Sequence, residues 1–284
     1  METIQFRQSQ LTWHEGVAEF SHNNGTARNA MSEALRRDYA DMIDVVREQR
    51  QARVLILTGS DGSFCAGGDI RAMQERLASD DPEFNSPDAT RRRIEAAHAW
   101  LVRLRELDIP VLAAVDGPAY GAGFCLALQA DLIVASTRAS FCMSFAKVGC
   151  LPDFGAFHSL PRWIGLARAK ELMLTARRLG VAEAAAIGLV HSVHEPDALL
   201  PQARAFAARL AKGPREALAL TRKLLNQSFD TDYHKLAALE SSAQAVCMAT
   251  TYHAESVARF VAGQPPLFDW DRPAQAAFLD NTTS

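Results

Sequence analysis

The chain has 284 residues, of which 48% are hydrophobic, and this is ample for one large core domain or a domain with an appendage. A net charge of −3 and an isoelectric point of about 6.2 give no electrostatic reason to bind nucleic acid. The short basic run Arg91–Arg93 is typical of a solvated helix face, and contact with the phosphates of a nucleotide-like ligand is the alternative.

The five cysteines are odd in number, irregularly spaced and without a Cys-x-x-Cys pair. This pattern supports neither a disulfide framework nor a zinc site, so we expect no metal. The first residues lack the apolar core of a secretory signal, and no apolar segment approaches about 18 uninterrupted residues. We therefore expect no membrane contact and a cytoplasmic location.

The N-terminal part begins with short strands, which the pattern predicts at 4–6, 11–14 and 17–20. A polar loop follows at 21–30. Ser32 can then cap a helix that runs to about Gln49, because apolar residues recur there at helical spacing.

A glycine-containing turn, Ser63–Ile70, follows the buried strand predicted at 54–59 and precedes a helix predicted at 71–78 with Asp69 as N-cap. Glycines let the backbone approach a ligand closely, and a helix start offers free N–H groups. The turn therefore suits an oxygen with partial negative charge, although an ordinary structural turn has the same pattern.

A second such turn, Asp116–Gly123, joins a buried strand at 110–115 to a helix at 124–130. Two convergent N–H donors form an oxyanion hole, and a thioester enolate is a charge that they would stabilise. Between the two units we predict a loop at 79–88 and a long helix at 88–107.

The remaining strands are predicted at 131–135, 140–145 and 189–193, and the remaining helices at 159–164, 167–176, 182–188, 199–211, 214–226 and 232–261. Strands and helices alternate up to 193, which indicates an α/β fold. We divide the chain into a core at 1–196 and a C-terminal helical subdomain at 197–284. The last helix carries too many apolar residues to stand alone, so it requires a partner.

Three motifs carry a resemblance: Phe64–Ile70 (FCAGGDI), Asp116–Gly123 (DGPAYGAG) and Phe145–Asp153 (FAKVGCLPD). In this order and spacing they resemble the enoyl-CoA hydratase/isomerase family, the crotonase superfamily, and most closely its phenylacetate-pathway isomerase branch. The similarity extends from about Val17 to about Phe268. It implies a crotonase-like spiral of ββα units with a C-terminal helical trimerisation subdomain, and a homotrimer or homohexamer.

The resemblance also implies the site. The backbone N–H groups of Ala66 and Ala122 would form the oxyanion hole for an acyl-CoA substrate. The implied coenzyme A contacts are Arg28, Ala30, Ala66, Gly67, Gly68, Asp69, Ile70 and Gly121. For Arg28 the alternative is an ordinary surface loop arginine. Coenzyme A is then part of the substrate, and no separate cofactor is expected.

The chain departs from the family at the two glutamates that activate water in the hydratases, because Cys125 and Phe145 stand there. An acid stands eight residues after Phe145, at Asp153, where isomerases of the family shuttle a proton. Apolar walls at Phe145, Phe154 and Phe157 would raise the pKa of Asp153 and make it a better base. Pro-Asp is also an ordinary turn or helix-cap signal. Cys125, like His22 and His158, suits a structural role.

The leading interpretation is a double-bond isomerase of enoyl-CoA with Asp153 as acid and base. One alternative is an enoyl-CoA hydratase without the glutamate pair, and another is an enzyme whose Asp153 attacks an aromatic acyl-CoA as nucleophile. A non-catalytic acyl-CoA-binding homologue is the alternative from another class.

Overall fold

The computed structural model describes residues 2–271. Its strands are β1 (Thr3–Gln5), β2 (Ser9–His14), β3 (Val17–His22), β4 (Val54–Gly59), β5 (Val111–Val115), β6 (Pro118–Tyr120), β7 (Leu132–Ser136), β8 (Ser140–Cys142), β9 (Leu179–Gly180) and β10 (Ser192–His194). Seven of them form one sheet in the order β1-β2-β3-β4-β5-β7-β10, and β6, β8 and β9 form a second.

The helices are α1 (Glu33–Glu48), α2 (Ile70–Leu77), α3 (Pro87–Arg105), α4 (Ala122–Ala127), α5 (Ala156–Ile164), α6 (Leu166–Thr175), α7 (Val181–Ala186), α8 (Pro196–Ala211), α9 (Arg215–Gln227), α10 (Tyr233–Met248) and α11 (Thr251–Val261). Short 3₁₀ turns lie at Gly25–Ala27 and Ser144–Val148. The predicted caps of α1 and α2 are present: Ser32 Oγ accepts from the Leu35 amide and Asp69 Oδ1 from the Ala72 amide, each at 3.1 Å.

The main sheet is parallel from β3 through β4, β5 and β7 to β10. Parallel neighbours end at the same edge, so the turns that follow β4 and β5 lie side by side. These are the two glycine-containing turns that the sequence singled out. The α/β prediction is thus confirmed, and the sheet explains why the two turns meet.

Side chains of β4 alternate between two hydrophobic clusters, as a strand period of two requires. Leu55 and Leu57 face the larger cluster, which contains buried residues of α1 and α3. Val54 and Ile56 face a smaller cluster on the opposite side, to which α8 contributes. The sheet is therefore covered by helices on both faces.

Helix α8 is placed differently from the expectation. Leu199, Ala203 and Ala207 are buried against the sheet, so α8 belongs to the layered core rather than to a C-terminal subdomain starting at 197. The helix expected at 232–261 is broken into α10 and α11, because Thr250 Oγ1 caps a new start by accepting from the His253 amide at 3.1 Å. The end of the proposed subdomain, 272–284, lies outside the described residues.

Three smaller differences concern element bounds. Helix α4 starts at Ala122, two residues earlier than expected. The strand expected at 140–145 ends at Cys142 and continues into a 3₁₀ turn. The strand expected at 189–193 lies at Ser192–His194.

Candidate active site

The turn after β4 is tied to the turn after β5 by backbone hydrogen bonds. The Cys65 amide donates to the Pro118 carbonyl at 3.1 Å, and the Tyr120 amide donates to the Cys65 carbonyl at 3.0 Å. Such a short parallel bridge holds two loops at a fixed separation, so the site rests on backbone geometry rather than on flexible side chains.

Glycine is required where these turns touch. Gly67 has φ of +107°, and a methyl group added to it would lie 2.9 Å from the Tyr120 carbonyl oxygen. Gly121 has φ of +48°, and a methyl group there would lie 3.1 Å from Ser144 Oγ. Side chains disfavour both the backbone conformation and the close approach, which explains the glycines of the two motifs.

The structure changes one of the two predicted donors. The Ala66 amide donates to the Arg28 carbonyl at 3.0 Å, so it is already used inside the protein. The amides of Gly68 and Ala122 have no hydrogen-bond partner within residues 2–271. Gly68 and Ala122 therefore each offer a free amide, one from each turn, and Ala122 lies at the open N-terminus of α4, where amides lack intrahelical partners.

The buried side chain of His22 supports the first turn, Ser63–Ile70, through a hydrogen bond to its backbone. His22 Nδ1 lies 2.7 Å from the Phe64 carbonyl oxygen, and Nε2 lies 2.5 Å from the Tyr39 hydroxyl. A carbonyl only accepts, so Nδ1 carries the proton and Nε2 accepts from Tyr39. Complete burial lowers the pKa of His22 to about 4, which keeps it neutral. The structural role expected for His22 agrees with these contacts.

Asp153 lies in the loop before α5. Its backbone carbonyl accepts from the Ala156 amide at 3.0 Å, but its side chain caps no helix, since α5 begins at Ala156 with Gly155 as its N-cap and has no side-chain cap. Oδ1 is buried and has no partner in the described part of the chain. Burial raises the pKa of Asp153, while the positive charges of Arg36 and His98 oppose the rise. An unsatisfied carboxylate with a raised pKa is suited to proton transfer.

The three aromatic residues expected near Asp153 differ in their surroundings. Phe154 is fully buried, and the Phe145 ring lies 3.9 Å from the methyl position of Gly121, at the second turn. Phe157 is 58% exposed and does not form a wall within the chain.

Cys125 is completely buried on α4, with Sγ 3.9 Å from Met143 Sδ. Burial, assisted by the negative charge of Asp153, raises the pKa of the thiol well above its usual value. The thiol is therefore neutral and cannot act as a base at ordinary pH. The packing role predicted for Cys125 fits this environment.

The segments predicted to contact coenzyme A lie next to each other. The Met31 amide donates to the Gly67 carbonyl at 2.7 Å, so the loop that carries Arg28 and Ala30 runs beside the first turn. Arg28 is exposed, and Ile70 is 57% exposed at the start of α2. The Asp69 carboxylate is engaged as the cap of that helix.

His158 is not part of this group. Its Nδ1 lies 3.2 Å from Arg105 Nη1 and its Nε2 lies 3.4 Å from Asp230. Sequence reasoning did not single out Arg36, His98 or Trp100, although all three lie at the edge of the site. Arg36 lies on α1, and His98 and Trp100 lie on α3. No motif contains these residues, and the packing of the two helices brings them to the site.

Residues 2–271 contain neither a cluster of metal ligands nor a membrane-spanning helix. No group of three or more His, Cys, Asp or Glu side chains could hold a metal ion. No helix in that range has the length and apolarity needed to cross a membrane.

The chain is similar in sequence and in structure to known proteins. The sequence profile of the enoyl-CoA hydratase/isomerase family matches residues 12–271. Crotonyl-CoA hydratase of Syntrophomonas wolfei is 33% identical, over 88% of this chain and 94% of the relative. The 1,2-epoxyphenylacetyl-CoA isomerase of Escherichia coli is 31% identical, over 89% and 95%. A solved enoyl-CoA hydratase/isomerase structure from Cupriavidus metallidurans has a TM-score of 0.89 and 36% identity, covering 96% of this chain and all of that one.

Proposed function

Because the chain belongs to the enoyl-CoA hydratase/isomerase family, with the crotonase-type α/β fold, we propose that it moves the double bond of an enoyl-CoA thioester. The observation that carries the proposal is the Asp153 carboxylate, which is partly buried, has no partner at Oδ1 in the described part of the chain and has a raised pKa. Its charge also acts on Cys125 of α4, the helix that begins at Ala122. The acyl-CoA thioester is the substrate, and the proposed reaction requires no separate cofactor.

In the proposed reaction the thioester carbonyl oxygen accepts from the amides of Gly68 and Ala122. Asp153 removes a proton from C2 of a 3-enoyl thioester, and the electron pair moves onto the carbonyl oxygen as an enolate. The C3–C4 double bond then takes the proton from Asp153 at C4, the C1–C2 enolate pair moves to form the C2–C3 double bond, and the thioester carbonyl is restored. The two amides stabilise the enolate, and loss of one such donor typically costs about 100- to 1000-fold in rate.

Hydration is the second candidate, because several relatives are named hydratases. Against it stand Cys125, whose thiol is neutral, and Phe145, which has no acid or base. Asp153 alone would then have to activate the water. A non-catalytic acyl-CoA binder would need the same two turns, but it gives no reason for an unsatisfied carboxylate at their side.

The test is a mass-spectrometric assay in D₂O with matched 2-enoyl- and 3-enoyl-CoA thioesters. We expect interconversion with deuterium uptake and no gain of water. Asp153→Asn should lower the turnover rate by about 100- to 10,000-fold and leave CoA affinity intact. Cys150→Ser is the matched control, since Cys150 is exposed in the same loop.

A product heavier by one water would contradict the isomerase and establish a hydratase with one acid. Undiminished turnover in Asp153→Asn would exclude Asp153 as the acid and base. Measurable CoA binding without turnover of any chain length would favour the non-catalytic binder.

A further inference from the structure

A cavity of about 480 Å³ lies between α1 and α3. Phe84, from the loop between α2 and α3, and Trp100, from α3, contribute aromatic walls. Four arginines also line it, Arg36, Arg37, Arg92 and Arg93, against two acids, Glu33 and Glu83. Four positive and two negative charges leave an excess of two positive charges at the wall.

Two of the four arginines are neutralised by neighbours. Arg37 pairs with Glu33 at 3.2 Å, and Arg92 pairs with Glu83 at 2.8 Å and with Asp88 at 2.7 Å. Both acids of the cavity wall are thereby used. Such exposed helical pairs are ordinary surface features and leave no charge for a ligand.

The other two arginines form no ion pair with any side chain in 2–271. Arg93 donates only to neutral groups, the Phe84 carbonyl at 3.0 Å and the Thr90 hydroxyl at 2.8 Å. Arg36 places its guanidinium 5.3 Å from the centre of the Phe154 ring, and its Nε is buried without a partner. A partly buried cation that no carboxylate contacts directly is costly, so these two positions favour a bound negative charge.

A third arginine, Arg76 near the end of α2, adds its charge to the same place. Burial lowers the pKa of Arg36, and the positive charges of Arg76 and Arg93 lower it further, against the opposing effect of Glu33 and Asp153. Burial and Arg76 act in the same direction on Arg93. Three helices therefore direct guanidinium groups at one region.

The position of Arg36 relates this region to the reaction. Phe154, over which Arg36 lies, is the residue after Asp153, and the charge of Arg36 acts on the Asp153 carboxylate, so one residue of the cavity wall lies near the proposed base. A thioester held at Gly68 and Ala122 places its reacting carbons at Asp153. The distal end of the acyl chain lies beyond these carbons, away from coenzyme A, and would reach the cavity that Arg36 lines.

We propose that the substrate is an enoyl-CoA whose acyl chain ends in a carboxylate, and that Arg36 and Arg93 bind this carboxylate in the cavity. Guanidinium groups suit the role because their planar array of donors matches a carboxylate. Phe84 and Trp100 enclose the methylene groups that precede it. This inference rests on the proposed function, since it takes Asp153 as the position of the reacting carbons.

The test measures binding without chemistry. Hexanoyl-CoA and the mono-CoA thioester of adipic acid have equal carbon number and differ at the terminal group, and the C8 and C10 pairs extend the series. Neither member of a pair can isomerise. By calorimetry we expect the carboxylated thioester to bind about tenfold or more tightly in at least one pair, as a charged hydrogen bond predicts.

Arg93→Met and Arg36→Met should reduce this preference to about one, and Arg36→Lys should restore part of it. Arg91→Met is the matched control, because Arg91 lies on the same helix, pairs with Asp88 and Glu95 and does not line the cavity, so the preference of this variant should equal that of the wild type. Circular dichroism and thermal unfolding show whether each variant folds. If Arg36→Met does not fold, Arg93→Met on α3 still tests whether an arginine of the cavity causes the preference for the carboxylate.

Equal affinity for both members of every pair would overturn the inference. So would an equal loss of affinity for both thioesters and for free coenzyme A in the arginine variants, since the arginines would then bind coenzyme A phosphates. A carboxylate preference without isomerase turnover would leave the inference standing and remove the proposed reaction instead.

Discussion

Asp153 acts as a base only when ionised, and its environment sets the pH at which this holds. An ordinary aspartate has a pKa of about 3.9, and burial raises that of Asp153. We therefore expect kcat/KM to fall with decreasing pH, beginning at a higher pH than for an exposed aspartate. A pH–rate profile with an uncharged acyl chain, such as hexenoyl-CoA, measures this acidic limb.

Arg36 should influence that limb through its charge. Its positive charge favours the ionised form of Asp153, so Arg36→Met should shift the acidic limb further toward neutral pH. Arg92→Met, at a neighbouring but paired position, should leave the limb in place. An unchanged limb in Arg36→Met would show that Arg36 does not act on Asp153 electrostatically.

His22 should make stability depend on pH. Its pKa is about 4 in the folded protein, below the value of about 6.5 for an exposed histidine. Between these values the unfolded chain binds a proton that the folded chain does not, so stability is complete above about pH 6.5 and decreases as the pH falls toward 4. The decrease attributable to His22 is about 3 kcal/mol.

Urea unfolding of the wild type and of His22→Phe at pH 7 and pH 4.5 isolates this effect. The variant should be less stable at pH 7, because Tyr39 and the Phe64 carbonyl lose a partner, but it should lose less stability on acidification. Parallel losses in the two proteins would contradict the assignment to His22.

Individual residues also show the limit of sequence reasoning about the site. The motif Phe64–Ile70 predicted the position of the first turn, but it did not predict which backbone amide of that turn is free. The Ala66 amide is used by the Arg28 carbonyl, which belongs to a loop distant in sequence, and spacing within the motif contains no information about that bond. Asp153 could be found because it lies within a motif. Arg36 and Trp100 could not, since helix packing alone brings them to the site.

At the scale of elements, the contact between the two turns should be sensitive to single methyl groups. Gly67→Ala combines a strained φ of +107° with a 2.9 Å approach to the Tyr120 carbonyl, so the turns must separate. We expect turnover to fall by about 100-fold, comparable to the loss of one oxyanion donor. Steady-state kinetics together with thermal unfolding measure the two effects separately.

Gly188→Ala is the matched control. Gly188 has φ of +78° and nothing within 4 Å of an added methyl group, so it isolates backbone strain. It should cost about 1 kcal/mol of stability and leave turnover unchanged. Equal turnover in both variants would contradict the role of the turn contact.

Elements with strong local signals were predictable, and their partners were not. Hydrophobic β4 and the Ser32 cap of α1 are encoded locally and occur where expected. The apolar pattern of α8 likewise predicted a helix, but periodicity cannot identify the surface that a helix covers. The sheet face completed by α8 is formed by β3, β4, β5 and β7, which are distant in sequence.

At the scale of the whole molecule, α10 and α11 have no buried residue in the chain described here. Their large apolar side chains remain exposed: Leu239, Val246, Met248, Val257, Phe260 and Val261. Scattered exposed apolar residues are normal, but a continuous group on two consecutive helices indicates a surface that another chain covers. The proposed homotrimer or homohexamer would supply that cover.

The assembly is testable at its most exposed apolar residue. Phe260 is 87% exposed on α11, and Phe260→Glu would place a charge in a surface that a neighbouring chain buries. By sedimentation velocity we expect the wild type at three or six times 31.0 kDa and the variant at lower mass. Leu174→Glu, on α6 and 80% exposed, is the control and should keep the wild-type mass. Dissociation by Leu174→Glu but not by Phe260→Glu would place the interface on α6 instead, since a buried charge disrupts only the surface that is covered.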